Sequence, residues 1–411
     1  MDTRFLPLPE KTAIPIYPAL GSFTLPPIRD YRYRLRSQIA GLFEADTSQI
    51  LLAGSASKAL CSYLTEKNKH RLAPLRIALP AYMCISMAQA ITSAGCLPVF
   101  IDLDASLQIK AESIEFMVEQ ACSYIVWPNY FGPRTRSKVI AQKLHKAGIL
   151  IIADEAQSFP FGVETIRAFT NQYAQLALFS FGPSKPLAGI GGGGIYMPKP
   201  DAEFSKLVQS PTVIRPQASN YRKQFIASIR QHLVWHHPRI ARHTGFAQER
   251  GDDVVEFLET TSRTISFSPI TNTQAYVALH NLRQATNPQT IARHEHYLSK
   301  LRTSLTTSQP TAWRFLENIE GAAAIVAIYL PHAKRRGIFE LLASGGMQAT
   351  WYFMPLNELP RYKSYPSEDT WQTREIAENI AIVAFQWRHG AREKQRAISI
   401  LSRAIKSQPS T

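Results

Sequence analysis

Two side chains 31 residues apart carry the strongest chemical suggestion in this sequence. In GILIIADEAQSFPFG, Asp154 directly follows five apolar residues, which puts a carboxylate at the carboxyl end of a buried strand. Ligands collect outside such strand ends in open α/β sheets. In LALFSFGPSKPLAGIGGGG, a strand runs into a turn built from Gly182 and Pro183, then Lys185, then a glycine-rich return. Each residue alone has other readings. A strand-end acid also serves as a helix cap or a metal ligand, and a lysine on a turn is commonly a solvated surface group. Taken together they ask for more, because an amine held on a tight turn can be desolvated until its pKa falls and it attacks an aldehyde carbon.

Pyridoxal phosphate (PLP) offers that aldehyde. It also demands a carboxylate at its ring nitrogen, since the ring is an electron sink only as the pyridinium. Lys185 would take the aldehyde and Asp154 the ring nitrogen. A phosphate needs backbone N–H groups at a helix start, helped by short hydroxyl side chains. LLAGSASKALCSYL supplies that pattern with Gly54, Ser55, Ala56 and Ser57 ahead of a helix, although serine is also an ordinary N-cap. The run Gly191–Gly194 is followed by IYM, a strand and not a helix, so it reads as a tight turn packed against other backbone.

The elements that must position these groups follow from the apolar spacing. Short apolar runs separated by amphipathic stretches between residues 50 and 200 predict a mostly parallel sheet covered by helices. The predicted strands are Ile50–Leu52, Arg76–Leu79, Pro98–Asp102, Tyr124–Trp127, Ile149–Asp154, Leu176–Ser180 and Gly194–Met197. Helices are predicted over Cys84–Ala94 and Ser137–Lys146, each stopped by a glycine able to take positive φ, Gly95 and Gly148. Beyond Pro200 a basic, histidine-rich stretch to about residue 262 reads as a helical insertion, over about 205–262, or as a connection to the second domain, with Gln231–His243 given no role. The remainder predicts helices over Thr273–Gln284 and Pro288–Thr306, a strand Ala322–Tyr329, a helix Ala333–Ser344, a strand near Ala349–Phe353 and a terminal helix pair. The expected architecture is therefore α/β: a large domain over 1–262 with a seven-stranded, mostly parallel sheet in an α/β/α sandwich, and a smaller α+β domain over 263–411.

Bulk properties limit the remaining choices. A chain of 411 residues, 45% hydrophobic, buries a large core. The start has no apolar leader and no run reaches membrane-spanning length, so a cytoplasmic protein without integral membrane association is expected. Cys61, Cys84, Cys96 and Cys122 show neither CxxC spacing nor a histidine pattern, so neither a metal site nor a disulfide framework is expected. A net charge of +15 fits a nucleic-acid surface, an anionic membrane surface or phosphorylated ligands, and does not choose among them. No nucleic-acid-binding signature accompanies it, and nucleic acid is not expected as a partner.

With these pieces in order, the sequence resembles the DegT/DnrJ/EryC1/StrS aminotransferases, fold-type-I PLP enzymes that generally aminate nucleotide-linked keto-sugars. AGSASKAL, IALPAYMCISMAQAITSAGCLPVFIDLD, WPNYFG, IIADEAQSFPFG and FSFGPSKPLAGIGGGG carry the resemblance. It implies Lys185 as the Schiff-base lysine, Asp154 as the pyridinium partner and Gln157 as the partner of the ring hydroxyl. Ser180, Ser55 and the N–H of Ala56 would bind the phosphate, with Gly54 and Asn129 also at the cofactor. Two positions depart from the family pattern. Cys84 stands where an aromatic residue usually stacks on the ring, so either its thiol packs there or Tyr82 takes over. Phe267 in SFSPITNTQA stands where an asparagine usually reaches the neighbouring subunit's phosphate. Either Ser266 or Ser268 substitutes for that asparagine, or the reach to the neighbouring phosphate is not made.

The resemblance implies a homodimer and a transamination from an amino acid, with glutamate as donor, to a keto-sugar. Two alternatives stay open at this point: a different PLP reaction (lyase, dehydratase or acyl transfer) on another acceptor, and a non-catalytic scaffold or regulatory homologue.

Overall fold

The structure, a computed structural model, describes residues 30–132, 135–182, 185–187, 189–210, 264–306, 314–315, 325–329, 349–350, 353–384 and 391–406. The insertion expected over 205–262 lies outside the described residues beyond Ser210. So do the helix expected over Ala333–Ser344 and the first residues of the strand expected from Ala322.

Seven strands form the larger sheet: β1 (Ile50–Ala53), β2 (Arg76–Pro80), β3 (Leu97–Ile101), β4 (Tyr124–Pro128), β5 (Leu150–Asp154), β6 (Ala174–Ser180) and β7 (Gly193–Tyr196), in the spatial order β1-β7-β6-β5-β4-β2-β3. Every predicted strand of this sheet is present, with ends displaced by a residue or two. β2 to β6 are parallel, and β7 runs antiparallel to both its neighbours.

Side chains alternate across the sheet with the period of two that strand geometry imposes. Ile151, Ala153, Ala177 and Phe179 enter one apolar cluster, while Ile152, Leu176 and Leu178 enter the other. The first face is covered by α1 (Tyr31–Leu42), α5 (Lys138–Lys146) and α6 (Val163–Tyr173), through residues such as Leu35, Leu144 and Phe169. The second is covered by α2 (Ala56–Asn68) and α3 (Ile85–Ser93), through Leu60, Tyr63 and Ile91. α4 (Ser113–Glu119) lies between β3 and β4 in sequence, and α7 (Ala202–Gln209) follows β7. α3 and α5 stop where expected: Gly95 and Gly148 take φ of +72° and +73°, which a Cβ would oppose.

α8 (Asn272–Ala285) lies past the expected division at 262/263 and packs on α1. Asn272 accepts the Tyr31 N–H at 2.8 Å, and Ala275, Ala278, Leu279 and Leu282 join the first apolar cluster. α9 (Pro288–Thr306) begins and ends where predicted. A four-stranded antiparallel sheet follows, ordered β10 (Ala349–Thr350), β11 (Ile380–Ala384), β9 (Ile325–Tyr329), β8 (Arg314–Phe315).

Both expected terminal helices are present, with a strand between them that was not expected. β11 intervenes between α10 (Trp371–Asn379) and α11 (Ala391–Lys406), paired with β9 over five residues. Thr373, Ile376, Ala377 and Ile380 keep helical spacing of buried positions right up to the strand, so periodicity alone continues the helix through it.

The segment before α10 is fastened to the larger sheet. Leu356 N–H donates to Ala81 O, Phe100 N–H to Pro366 O and Glu368 N–H to Phe100 O, which covers the exposed edge of β3. Asp102, fully buried, accepts from Lys110 Nζ at 2.7 Å and from Thr373 N–H at 2.8 Å.

The glycine run behaves as a close-packed return. A Cβ on Gly194 would sit 2.2 Å from Leu51 O, and one on Gly193 would sit 2.6 Å from Ala56 N and Phe179 O. Gly194→Ala is therefore expected to cost at least about 1–3 kcal/mol of stability, the usual range for overpacking. The denaturation midpoint would report it, and an unchanged midpoint would refute the close packing of β7 between β1 and β6.

Candidate active site

The parallel register decides where the site lies. Pro128 pairs with Asp154, and Asp154 with Leu178, so the ends of β4, β5 and β6 open at one level. One cavity at that level is lined by Lys185, Asp154, Gln157, Ser180, Ser55, Ala56, Ser57, Cys84 and Asn129. Residues expected to act together from five separate sequence stretches are thus brought together. Gly54 and Tyr82 do not line it: Gly54 stands just below the cradle, and Tyr82 is fully buried behind the wall.

Asp154, 7% exposed, closes β5. One carboxylate oxygen accepts the Ala156 N–H at 2.9 Å, which leaves the other available to a donor in the cavity. Burial pushes its carboxyl above the ordinary range; the Ala156 N–H and the Lys185 ammonium pull it back. Lys185 rises from a turn pinned at both ends. Its own N–H donates to Gly182 O at 3.1 Å, Gly189 N–H donates to Phe181 O, and Phe181 N–H donates to Gly192 O. The lysine is thereby held in position rather than left on a free hairpin.

Ser55 caps α2, its hydroxyl accepting the Lys58 N–H at 3.1 Å and lying 3.0 Å from the Ser57 hydroxyl. The leading N–H groups of such a helix have no intrahelical partner and carry the positive end of its dipole. Ser180, at the end of β6, accepts the Gly182 N–H at 3.3 Å. The positively polarised helix start and the Ser55, Ser57 and Ser180 hydroxyls all border the same cavity.

The walls show where the residues of the two departures lie. Cys84, not Tyr82, faces the cavity, its sulfur 3.1 Å from the Ser86 hydroxyl. Tyr82 backs the wall, edge-on to Phe353 at 5.2 Å between centroids. Phe267 turns toward the second apolar cluster, so an aromatic fills the position where an asparagine would reach outward. Ser268 sits against the cradle: its carbonyl accepts the Gly54 N–H at 2.8 Å and its hydroxyl the Lys58 ammonium at 2.8 Å.

The remaining lining includes Met83, Met87, Tyr130 and Phe353. Nothing in the sequence marks Phe353, which arrives from a segment almost 170 residues beyond Lys185. Tyr130, beside Asn129 in WPNYFG, was within reach of the motif.

These residues fit PLP. A buried carboxylate with an oxygen to spare suits a protonated ring nitrogen. Gln157 Oε1 already accepts the Phe131 N–H at 2.7 Å, so its amide N–H₂ is the end left to donate to the ring hydroxyl. A cradle of small residues at a helix start suits the phosphate. Cys61, Cys96 and Cys122 are buried elsewhere, and burial pushes the thiols of Cys96 and Cys122 up to about 12. Among the described residues, no group of His, Cys, Asp and Glu is arranged to hold a metal, and no helix is long and apolar enough to cross a membrane.

Comparison with known proteins assigns the chain to a family. The family model for the DegT/DnrJ/EryC1/StrS aminotransferase family matches residues 53–398. Curated relatives include a pleiotropic regulatory protein of Geobacillus stearothermophilus, 27% identical over 34% of this chain and 36% of its own length. Another is the UDP-N-acetyl-3-dehydro-alpha-D-glucosamine 3-aminotransferase of Acidithiobacillus ferrooxidans, 27% identical over 32% of this chain and 35% of its own. The matched stretch thus spans about a third of these relatives' length. Among solved structures, a Helicobacter pylori aminotransferase involved in pseudoaminic acid biosynthesis superposes with a TM-score of 0.70 over 98% of this chain and 100% of its own, at 12% identity. That likeness establishes the fold.

Gln157→Leu is expected to strand the buried Phe131 N–H, at about 1–3 kcal/mol of stability, and to weaken PLP binding. Thermal unfolding and a PLP titration test the two effects; unaltered PLP affinity would remove Gln157 from the cofactor site.

Proposed function

We propose, for a chain that belongs to the DegT/DnrJ/EryC1/StrS aminotransferase family of PLP-dependent enzymes, that it transfers an amino group from an amino acid, with glutamate as donor, to a nucleotide-linked keto-sugar. The observation that carries the reading is the convergence of Lys185, Asp154 and Gln157 on one cavity that also holds a phosphate cradle.

When bound, PLP supplies an aldehyde for the donor nitrogen and a ring that draws electrons from the donor Cα. The chain's own residues do the rest. Asp154 holds the ring nitrogen protonated, and Gln157 orients the ring through its hydroxyl. Ser55, Ser57, Ser180 and the start of α2 anchor the phosphate, with Gly54 and Ser268 beneath them. Lys185, as a free amine once the donor is bound, would be the group that carries the proton between the donor Cα and the cofactor. The keto acid departs, the keto-sugar enters, and the same lysine moves the proton in reverse.

A nucleotide-linked acceptor is supported by relatives whose names specify UDP- and dTDP-linked sugars. The charge of +15 suits a diphosphate. The proposal includes a cytoplasmic homodimer. It also includes the division into a large domain over 1–262 and a smaller one over 263–411, with α8 docked on the former. A second reading, a regulatory homologue without turnover, draws on the relative named as a pleiotropic regulatory protein and on the thiol at Cys84.

Spectroscopy separates the two. The protein with PLP is expected to show a visible absorption band that glutamate bleaches toward the near ultraviolet as keto acid is released. Lys185→Ala is expected to fold and lose that band. A band that survives the substitution would sink the lysine assignment, and a band that no amino donor bleaches would favour the regulatory reading.

A further inference from the structure

Behind Asp154 lies a second buried polar cluster that takes no direct part in the transfer. Arg136 is 4% exposed and Glu155 1%. Arg136 Nη1 pairs with Glu155 Oε1, Nη2 donates to Trp127 O at 2.9 Å, and the guanidinium lies 4.9 Å from the centre of the Phe169 ring. Glu155 Oε2 accepts from Asn129 Nδ2 at 3.1 Å and from the Ser158 hydroxyl. The backbone joins in: Glu155 N–H donates to Leu178 O, and Asn129 N–H to Asp154 O. One cluster therefore grips the ends of β4, β5 and β6 at the level of the cavity.

A buried ion pair is a poor device for stability alone, since apolar side chains of similar volume commonly serve as well. Its position explains it better. Glu155 is the next residue after Asp154, and two carboxylates in dry surroundings oppose each other's ionisation. We propose that Arg136 is a positioning residue: by neutralising Glu155 it keeps the neighbouring Asp154 ionised for the cofactor's ring nitrogen, and through Glu155 it fixes the Asn129 amide in the cavity wall. This rests on the reading that the cavity binds PLP.

The charges balance around the site. Lys185 from the β6–β7 turn, Glu155 and Arg136 are the charged groups facing Asp154, and Cys84 and Tyr130 are the other titratable side chains lining the cavity. With Arg136 present, Glu155 is cancelled, and the Asp154 carboxylate remains to meet the ring N–H. Without it, an uncompensated Glu155 favours the protonated, neutral form of Asp154. Arg136 uses both ends of its fork and its flat face, so lysine would keep the charge and lose the geometry.

The test is PLP binding to the full chain as a function of pH, with unfolding of the cofactor-free proteins followed alongside. Binding is lost as pH falls through the Asp154 pKa, so a raised pKa moves that acid limb upward. Arg136→Gln is expected to move it up by about one pH unit, a tenfold change in proton affinity. Glu155→Gln leaves Arg136 uncancelled and is expected to move it down. The double variant and Arg136→Lys are expected to lie near the wild type. Shifts of the two single variants in the same direction, or none, in a protein that binds PLP would overturn the proposal and leave Arg136 a packing residue. Should Arg136→Gln not fold, Glu155→Gln decides by itself: a downward shift supports the proposal and a fixed limb overturns it. A wild-type protein that binds no PLP overturns the cofactor reading and this inference with it.

Discussion

A carboxylate kept out of water at the end of the central strand is the constraint on which the rest of this structure depends. Asp154 is almost fully buried, and burial works against the charge that the site requires. The fold answers with position. β5 is flanked by parallel strands whose register ends level with it, so the carboxylate opens into a shared cavity instead of the core. The Ala156 N–H satisfies one oxygen, and Lys185 faces it from the next turn. Glu155, which would aggravate the burial, is itself held by Arg136.

The phosphate end depends on a different constraint, the close approach of backbone to backbone. β7 slips antiparallel between β1 and β6, and it fits because Gly193 and Gly194 leave no side chain where Ala56 N, Phe179 O and Leu51 O lie. That insertion brings the start of α2 and the end of β6, which are distant in sequence, to the same cavity. The glycine run is thus not a phosphate loop, yet the phosphate cradle could not assemble without it.

Much of this was legible in the sequence because parallel, doubly covered strands are written as short apolar runs bounded by turns. All seven strands of the main sheet were found that way, and so were the two glycine stops at Gly95 and Gly148. Asp154 and Lys185 stood out because a strand-end carboxylate and an amine on a tight turn, each with ordinary readings alone, together suit one cofactor. What escaped detection is equally physical. β11 escaped because buried positions at helical spacing lead straight into it from α10. Phe353 escaped because its place in the wall is set by contacts just past β2, where Pro355 bridges to Tyr82 and Leu356 N–H donates to Ala81 O, a pairing with no local signature. Arg136 and Glu155 carry no local signature of their pairing, which exists only once β4 and β5 stand side by side.

The division between what was legible and what was not follows the division of chemical labour. The groups assigned to the cofactor come from one continuous stretch, Gly54 to Lys185, where each sits at a strand end or helix start with a recognisable local form. The outer wall mixes Met83, Cys84 and Met87 from the opening of α3 with Phe353 from the distant segment. Methionine and cysteine side chains are soft and adaptable, and they fill space without fixing a hydrogen-bonding pattern. A wall of this kind constrains whatever it encloses through shape and apolar contact. An aromatic at residue 84 could be substituted without disturbing Asp154 or the α2 cradle, because the Cys84 thiol hydrogen-bonds within its own turn, to Ser86. That wall can therefore change while the buried carboxylate and its supporting charges remain as they are.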